Sequence, residues 1–186
     1  MKPYISQPKG SASCGAYSIA YYLWETDKSE HVNYRDFVTS IYEKIKFGTN
    51  KIGMNEAVSN PEKMVGELND NWNSCADLCL SSNSPLIPLA KEMDIETQNM
   101  DVLDKLRCGE NKYAIIICAY KNQSKSMHFI LVKYEDDTFK MLNSSAIYGN
   151  STDNVAWEDF SVEPDGRLLL GREAPYLYTG AGILIH

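Results

Sequence analysis

The sequence predicts an α+β fold, and two observations predict it. The first hundred or so residues carry helical periodicity, and from about residue 112 the apolar residues fall into β-branched and aromatic runs joined by turns. At 186 residues with 44% hydrophobic content the chain is long enough for one core and short for two, so one domain over 1–186 is expected. Within it the boundaries are a helical part at about 11–108 and a sheet part at about 112–186, the first packed on an antiparallel sheet formed by the second.

The elements follow in chain order. In "SASCGAYSIAYYLWE", Ala16, Ile19, Ala20 and Leu23 repeat at i, i+3, i+4, i+7, the stripe of a core-facing helix, with Ser11 or Ser13 to cap it. Tyr17, Tyr21 and Trp24 make a second stripe, read as packing. "NYRDFVTSIYEKIKFG" gives a second helix, capped by Asn33, stopped by Gly48, and apolar along Tyr34, Phe37, Val38 and Ile41. Pro61 opens a short third in "NPEKMVGELND", and "SSNSPLIPLAKEMD" and "DVLDKLRCG" supply further helical turns. "KYAIIICAY", "MHFILVKYE" and "TFKMLNSS" read as strands, the last two a hairpin about Asp136 and Asp137, and "AGILIH" as a short closing strand. The Gly-, Pro-, Asn- and Asp-rich stretches "SSAIYGNSTDNVAWEDF" and "SVEPDGRLLLGREAPYLYTG" read as long surface connections.

Charge and composition exclude several functions. A net charge of −7 and a pI near 5.0 disfavour a phosphate-backbone binder, so no nucleic-acid partner is expected. No run reaches the roughly 20 apolar residues of a membrane span, and "MKPYISQPKG" lacks the apolar core of a signal peptide. Synthesis in the cytoplasm is expected, which leaves export as an effector or toxin open.

Five cysteines, an odd number, argue against an evenly paired disulfide framework. Cys75 and Cys79 would stack on one face of a helix, but with three histidines and no second cysteine pair a zinc site is not expected; they read as small half-buried core residues. Cys118 sits in an apolar strand where an unassisted thiol is inert.

Cys14 differs because it falls in the first turn of a helix. A free thiol near pKa 8.5 is only a few per cent thiolate at neutral pH, so a reactive one needs help. A helix N-terminus offers about half a positive charge and unpaired N–H groups, and a neighbouring imidazolium offers a full one, so a thiolate–imidazolium ion pair is expected. Of the three histidines, His31 lies in a polar loop and His186 is terminal and expected to fray. His128 heads the run "HFILVKY" and can reach a site at the sheet's end. Counting inward from the turn, Tyr134 faces Phe139 and His128 falls near Asn143, whose amide could orient the imidazole; a slip of one residue would substitute Leu142 or Ser144.

With Gln7, Cys14-Gly15 at a helix start, "HFILV" from His128, and Asn143 after a hairpin, the chain resembles the papain-like cysteine peptidase superfamily. The closest pattern is that of bacteriocin-processing-type peptidases and the bacterial effectors sharing their compact fold. The resemblance implies a papain-like fold, a Cys14-His128-Asn143 triad that attacks an amide of a protein or peptide through a thioester, Gln7 and the Cys14 N–H as oxyanion hole, and no metal or other cofactor. It departs from the pattern twice. Gln7 precedes Cys14 by seven positions where six are usual, and Asn143 stands where the bacteriocin-processing branch has aspartate. A cysteine protease is the first expectation, a glutamine deamidase the second, a peptidoglycan amidase the third; an inactive papain-like binding module is the alternative outside enzymes.

Overall fold

The computed structural model describes residues 4–8, 11–29, 34–47, 58–92, 94–109, 111–120, 123–145, 155–170 and 172–186. The expected roles of His31, Asn33 and Gly48 lie outside the described residues, as does 146–154 of the first proposed connection.

The chain is mixed α and β. Three twelve-residue helices, α1 (Cys14–Glu25), α2 (Tyr34–Ile45) and α3 (Pro61–Trp72), come first. They are followed by β1 (Ala76–Leu80), α4 (Ile87–Glu92), β2 (Gln98–Asn99) and α5 (Val102–Arg107). The remaining strands are β3 (Tyr113–Tyr120), β4 (Gln123–Glu135), β5 (Thr138–Leu142), β6 (Glu158–Val162), β7 (Arg167–Leu170) and β8 (Arg172–Ile185).

Sheet order is β2-β1-β8-β3-β4-β5-β6-β7, and β7 pairs with β8 as well. Strands β3 to β8 therefore close on themselves, while β1 and β2 extend the sheet from β8. Closure leaves no edge strand in that part, although β4 before Leu131 is unpaired on its β5 side, and it divides the apolar residues into two cores. Ile116, Ile130, Val132, Met141, Leu168 and Tyr176 pack inside together with Leu103 and Leu106 of α5. Ile115, Ile117, Phe129 and Leu131 pack outside, against the helices. Both faces of β3 and β4 are thus buried, which is why their sequences run continuously apolar instead of alternating.

Helix α1 lies at the centre of the outer layer. Its residues from Cys14 to Leu23 are all buried, because the Ala16-Ile19-Ala20-Leu23 stripe and the tyrosine stripe are both covered. Tyr17, Tyr21 and Trp24 meet Tyr34 of α2 ring to ring. Gly15 is required by packing: a Cβ there would lie 2.5 Å from Ser59 Oγ and 2.9 Å from Met64 Sδ. Helix α3 is held by Asn60, whose Oδ1 accepts the Glu62 and Lys63 N–H groups, with Pro61 next to it.

Four sequence expectations need correction. The helical part is not strand-free, since "ADLCL" forms β1, antiparallel to β8 and parallel to β2. Cys75 and Cys79 are therefore not on a helix; Cys75 is exposed and Cys79 buried. The second proposed connection contains β7 and most of β8, and "EDFSV", which spans its junction with the first, forms β6. A register shift against β3, with Gly180 at φ +68°, lets the long β8 pass from β7 to β1, and this bend hides the strand from period-two reading. His186 is held in place: its N–H donates to Cys75 O, and its ring meets Asp77 at 3.1 Å and Asn111 at 2.9 Å. No helix among the described residues is long and apolar enough to cross a membrane.

Candidate active site

The hairpin fixes the geometry. Asp136 and Asp137, both at positive φ, form a two-residue turn that pairs Tyr134 with Phe139 and Leu131 with Leu142. Continued in that register, Asn143 comes opposite Ile130, two residues from His128 and on the same face of β4. The side chains meet diagonally: His128 Nε2 lies 2.7 Å from Asn143 Oδ1.

The tautomer follows from a second bond. Asn143 Oδ1 also accepts the Ser145 N–H at 3.0 Å, which fixes that atom as the oxygen. Nε2 must then be the nitrogen that donates, so in the neutral ring the lone pair is on Nδ1. Asn143 Nδ2 finds no acceptor among the described residues. The imidazole also stacks on the Tyr176 ring, with centroids 4.8 Å apart and planes 14° from parallel.

Cys14 is the first residue of α1, and Ser13, at the cap position, makes no side-chain cap bond. The N–H groups of Cys14, Gly15 and Phe129 all act on the sulfur in the sense that favours thiolate. Phe129 follows His128 in β4, and its carbonyl accepts the Ser18 hydroxyl at 3.0 Å. Both backbone polar groups of Phe129 thus engage α1, beyond the point at which β5 pairs with β4, which ends at Leu131. The open edge of β4 is where the start of α1 docks, bringing Cys14 alongside the backbone that carries His128.

Burial opposes charge on both groups. It pushes the Cys14 thiol up to about 11, against the smaller pull of the three N–H groups, and pushes the His128 imidazole down to about 4, against the Asn143 bond. At neutral pH the two are a neutral thiol and a neutral imidazole. This differs from the resting ion pair that a preformed thiolate would require, and its cause is desolvation: Cys14 is 5% and His128 1% exposed.

Gln7 is drawn to the same place by Ser144. Its N–H donates to Ser144 O at 2.9 Å, and its Oε1 accepts the Ser144 hydroxyl at 2.7 Å. Gln7 Nε2 donates to Ser11 O at 3.0 Å, and the Ser11 N–H donates to Pro8 O. The structure therefore gathers Cys14, Asn143 and Gln7 around the segment bearing His128. It leaves His186 on another face with Asp77.

Sequence reasoning missed Tyr176 and Ser18, and named Ser144 only as the register-slip alternative to Asn143, not as the partner of Gln7. Tyr176 stood in a stretch read as loop and gave no signal. Cys118 pairs with His128 across β3 and β4; its burial, with Cys14 adding to it, pushes its thiol well above the ordinary range. Comparison with protein-family models, curated proteins and solved structures finds no match.

Proposed function

We propose that the protein is a papain-like cysteine hydrolase that attacks an amide of a protein or peptide, most simply as a cysteine protease. The observation that carries this reading is the 2.7 Å bond from His128 Nε2 to Asn143 Oδ1, which turns the basic Nδ1 lone pair away from Asn143 while Cys14 sits at an uncapped helix start beside Phe129.

Because both groups rest neutral, proton transfer accompanies attack. The Cys14 thiol proton passes to His128 Nδ1 as the sulfur electron pair bonds to the carbonyl carbon, and the carbonyl π pair moves to oxygen. The oxyanion is held by the Cys14 N–H at the positive end of α1 and by the Gln7 Nε2 hydrogen that is not donated to Ser11. The imidazolium then protonates the departing nitrogen as the C–N bond breaks, leaving a thioester on Cys14. Nδ1, neutral again, takes a proton from water as its oxygen attacks the thioester carbon, and gives that proton to the sulfur as the C–S bond breaks, restoring the thiol. Asn143 holds the ring and its tautomer throughout.

A glutamine side-chain amide fits the same steps with ammonia as leaving group, so deamidation is the second reading. Export as an effector or toxin is part of this proposal and rests on the resemblance of the motifs. The test is incubation with a proteome-derived peptide library and with intact proteins, read by mass spectrometry. New peptide termini that vanish with Cys14→Ala establish the protease, and glutamine-to-glutamate conversion with the same dependence establishes the deamidase. Identical products from Cys14→Ala contradict both and leave the binding-module reading.

A further inference from the structure

Strand β4 outruns its neighbour. Its pairing with β5 starts at Glu135 opposite Thr138 and ends at Leu131 opposite Leu142. Backbone directions in a strand repeat every second residue, so the Phe129 N–H and C=O point to the same side as those of Leu131, where β5 no longer pairs. Phe129 is fully buried, and backbone groups left unpaired at such a place are strongly disfavoured.

Helix α1 answers both groups from one face. The Phe129 N–H acts on the Cys14 sulfur, and the Ser18 hydroxyl donates to the Phe129 carbonyl at 3.0 Å. Cys14 and Ser18 lie about one turn apart in α1, so two side chains do for Phe129 what the next strand residue would have done. Helix formation does not explain a serine here. Position 18 is inside α1 and 1% exposed, where alanine forms helix better and brings no hydroxyl to satisfy. A mid-helix serine often turns its hydroxyl back to the carbonyl four residues earlier, whereas this one crosses to the residue that follows His128.

The two bonds grip Phe129 from both ends of its backbone. Its N–H belongs to the peptide unit shared with His128 and its C=O to the unit shared with Ile130, so holding both fixes where α1 sits along β4. Of the three N–H groups that favour thiolate at Cys14, that of Phe129 acts most strongly. We propose that Ser18 is a positioning residue for the nucleophile: by holding the Phe129 carbonyl it keeps α1 and β4 in register, so that the Phe129 N–H stays on the Cys14 sulfur as the thiol proton leaves for His128. This rests on the reading of Cys14 as nucleophile and deepens it. The bond to sulfur strengthens as negative charge develops there, because an ionised acceptor makes the stronger hydrogen bond. Ser18 itself exchanges no proton.

The test compares wild-type, Ser18→Ala and Ser84→Ala proteins by peptide-resolved mass spectrometry after limiting iodoacetamide from pH 5 to 9, with the exposed Cys75 and Cys108 as internal references. Ser84→Ala is the matched control, because the buried Ser84 hydroxyl also donates to a strand carbonyl, Thr179 O at 2.7 Å, outside the candidate active site. Ser18→Ala should move the pH profile of Cys14 alkylation to higher pH and slow it at pH 6 by about five- to tenfold, the scale of one hydrogen bond, with Cys75 and Cys108 unchanged. Ser84→Ala should lower the thermal midpoint and leave the Cys14 profile in place. A serine that only stabilised the fold would give the opposite sign in Ser18→Ala, since loosening a buried thiol speeds its alkylation. A Cys14 rate in Ser18→Ala that equals or exceeds a selective wild-type rate at pH 6 would overturn the positioning role and leave the nucleophile standing, and so would equal slowing in Ser84→Ala. If Cys14 of the wild-type protein is not selected at pH 6, the nucleophile reading fails and the positioning role falls with it.

Discussion

At the residue scale, His128 makes two predictions with opposite readouts. Its folded imidazole is depressed to about 4 from an ordinary 6.5, so the unfolded chain takes up a proton first as pH falls. Stability is unaffected by this group above about 6.5, is lost progressively as pH falls through the window down to about 4, and levels off below, by about 3 kcal/mol in all. The ring bonds to the Asn143 amide and stacks on the Tyr176 phenol ring, and neither is an anion at these pH values. Urea unfolding followed between pH 4 and 7 checks this, and His128→Gln should flatten the slope. Asn143→Asp should act the other way on activity. A carboxylate beside Nε2 favours the imidazolium, so the low-pH limb of Cys14 alkylation moves to higher pH, whereas Asn143→Ala lowers the rate about tenfold through the lost bond, worth about 1.5 kcal/mol.

At the element scale, the packing of α1 on α3 is tested at Gly15. Gly15→Ala gains about 1 kcal/mol of helix propensity. It also drives a methyl to 2.6 Å from Ser59 Cβ as well as into Ser59 Oγ, and neither atom is the far end of a flexible chain. Overpacking of about 1–3 kcal/mol should win, giving a lower thermal midpoint. Ser59→Gly on that background should restore part of it, and a double-mutant cycle by thermal melting measures the coupling. Helices α1, α2 and α3 were legible because periodicity and punctuation are local, the apolar stripes for α1 and α2 and Pro61 for α3, whereas the serine cap expected for α1 is not formed at Ser13. The β4–β5 register was legible for the same reason, being set by a two-residue turn. Strands β1, β7 and the first half of β8 were not, because their pairing is decided by distant partners and a bend, and β1 in particular reads as well for a helix.

At the whole-molecule scale, closure of β3 to β8 into one ring makes the site a joint between layers. The ring carries His128 and Asn143, the outer layer carries Cys14, and the segment before α1 carries Gln7, tied across by Ser144. The order of these residues along the chain was readable, and so was the Asn143 partner, since both depend on one hairpin. The neutral state of the pair was not, because desolvation depends on what Tyr176, Phe129 and the inner core place around it. Tyr176 comes from the half of β8 that the sequence did not reveal.

The central claim is that His128 activates Cys14 as an acceptor of its proton. The measurement that tests it most directly is peptide-resolved mass spectrometry after limiting iodoacetamide from pH 5 to 8, on the wild-type protein and His128→Ala. Cys75 and Cys108, both exposed, serve as internal references. Ordinary exposed thiols lose reactivity about tenfold per pH unit below about 8, whereas a thiol served by an imidazole that stays neutral down to about 4 keeps it. The account predicts that Cys14 is the site alkylated at pH 5 to 6 in the wild-type protein and is silent there in His128→Ala. Alkylation of Cys75 and Cys108 alone, with Cys14 unreactive at every pH and indifferent to His128, would contradict it.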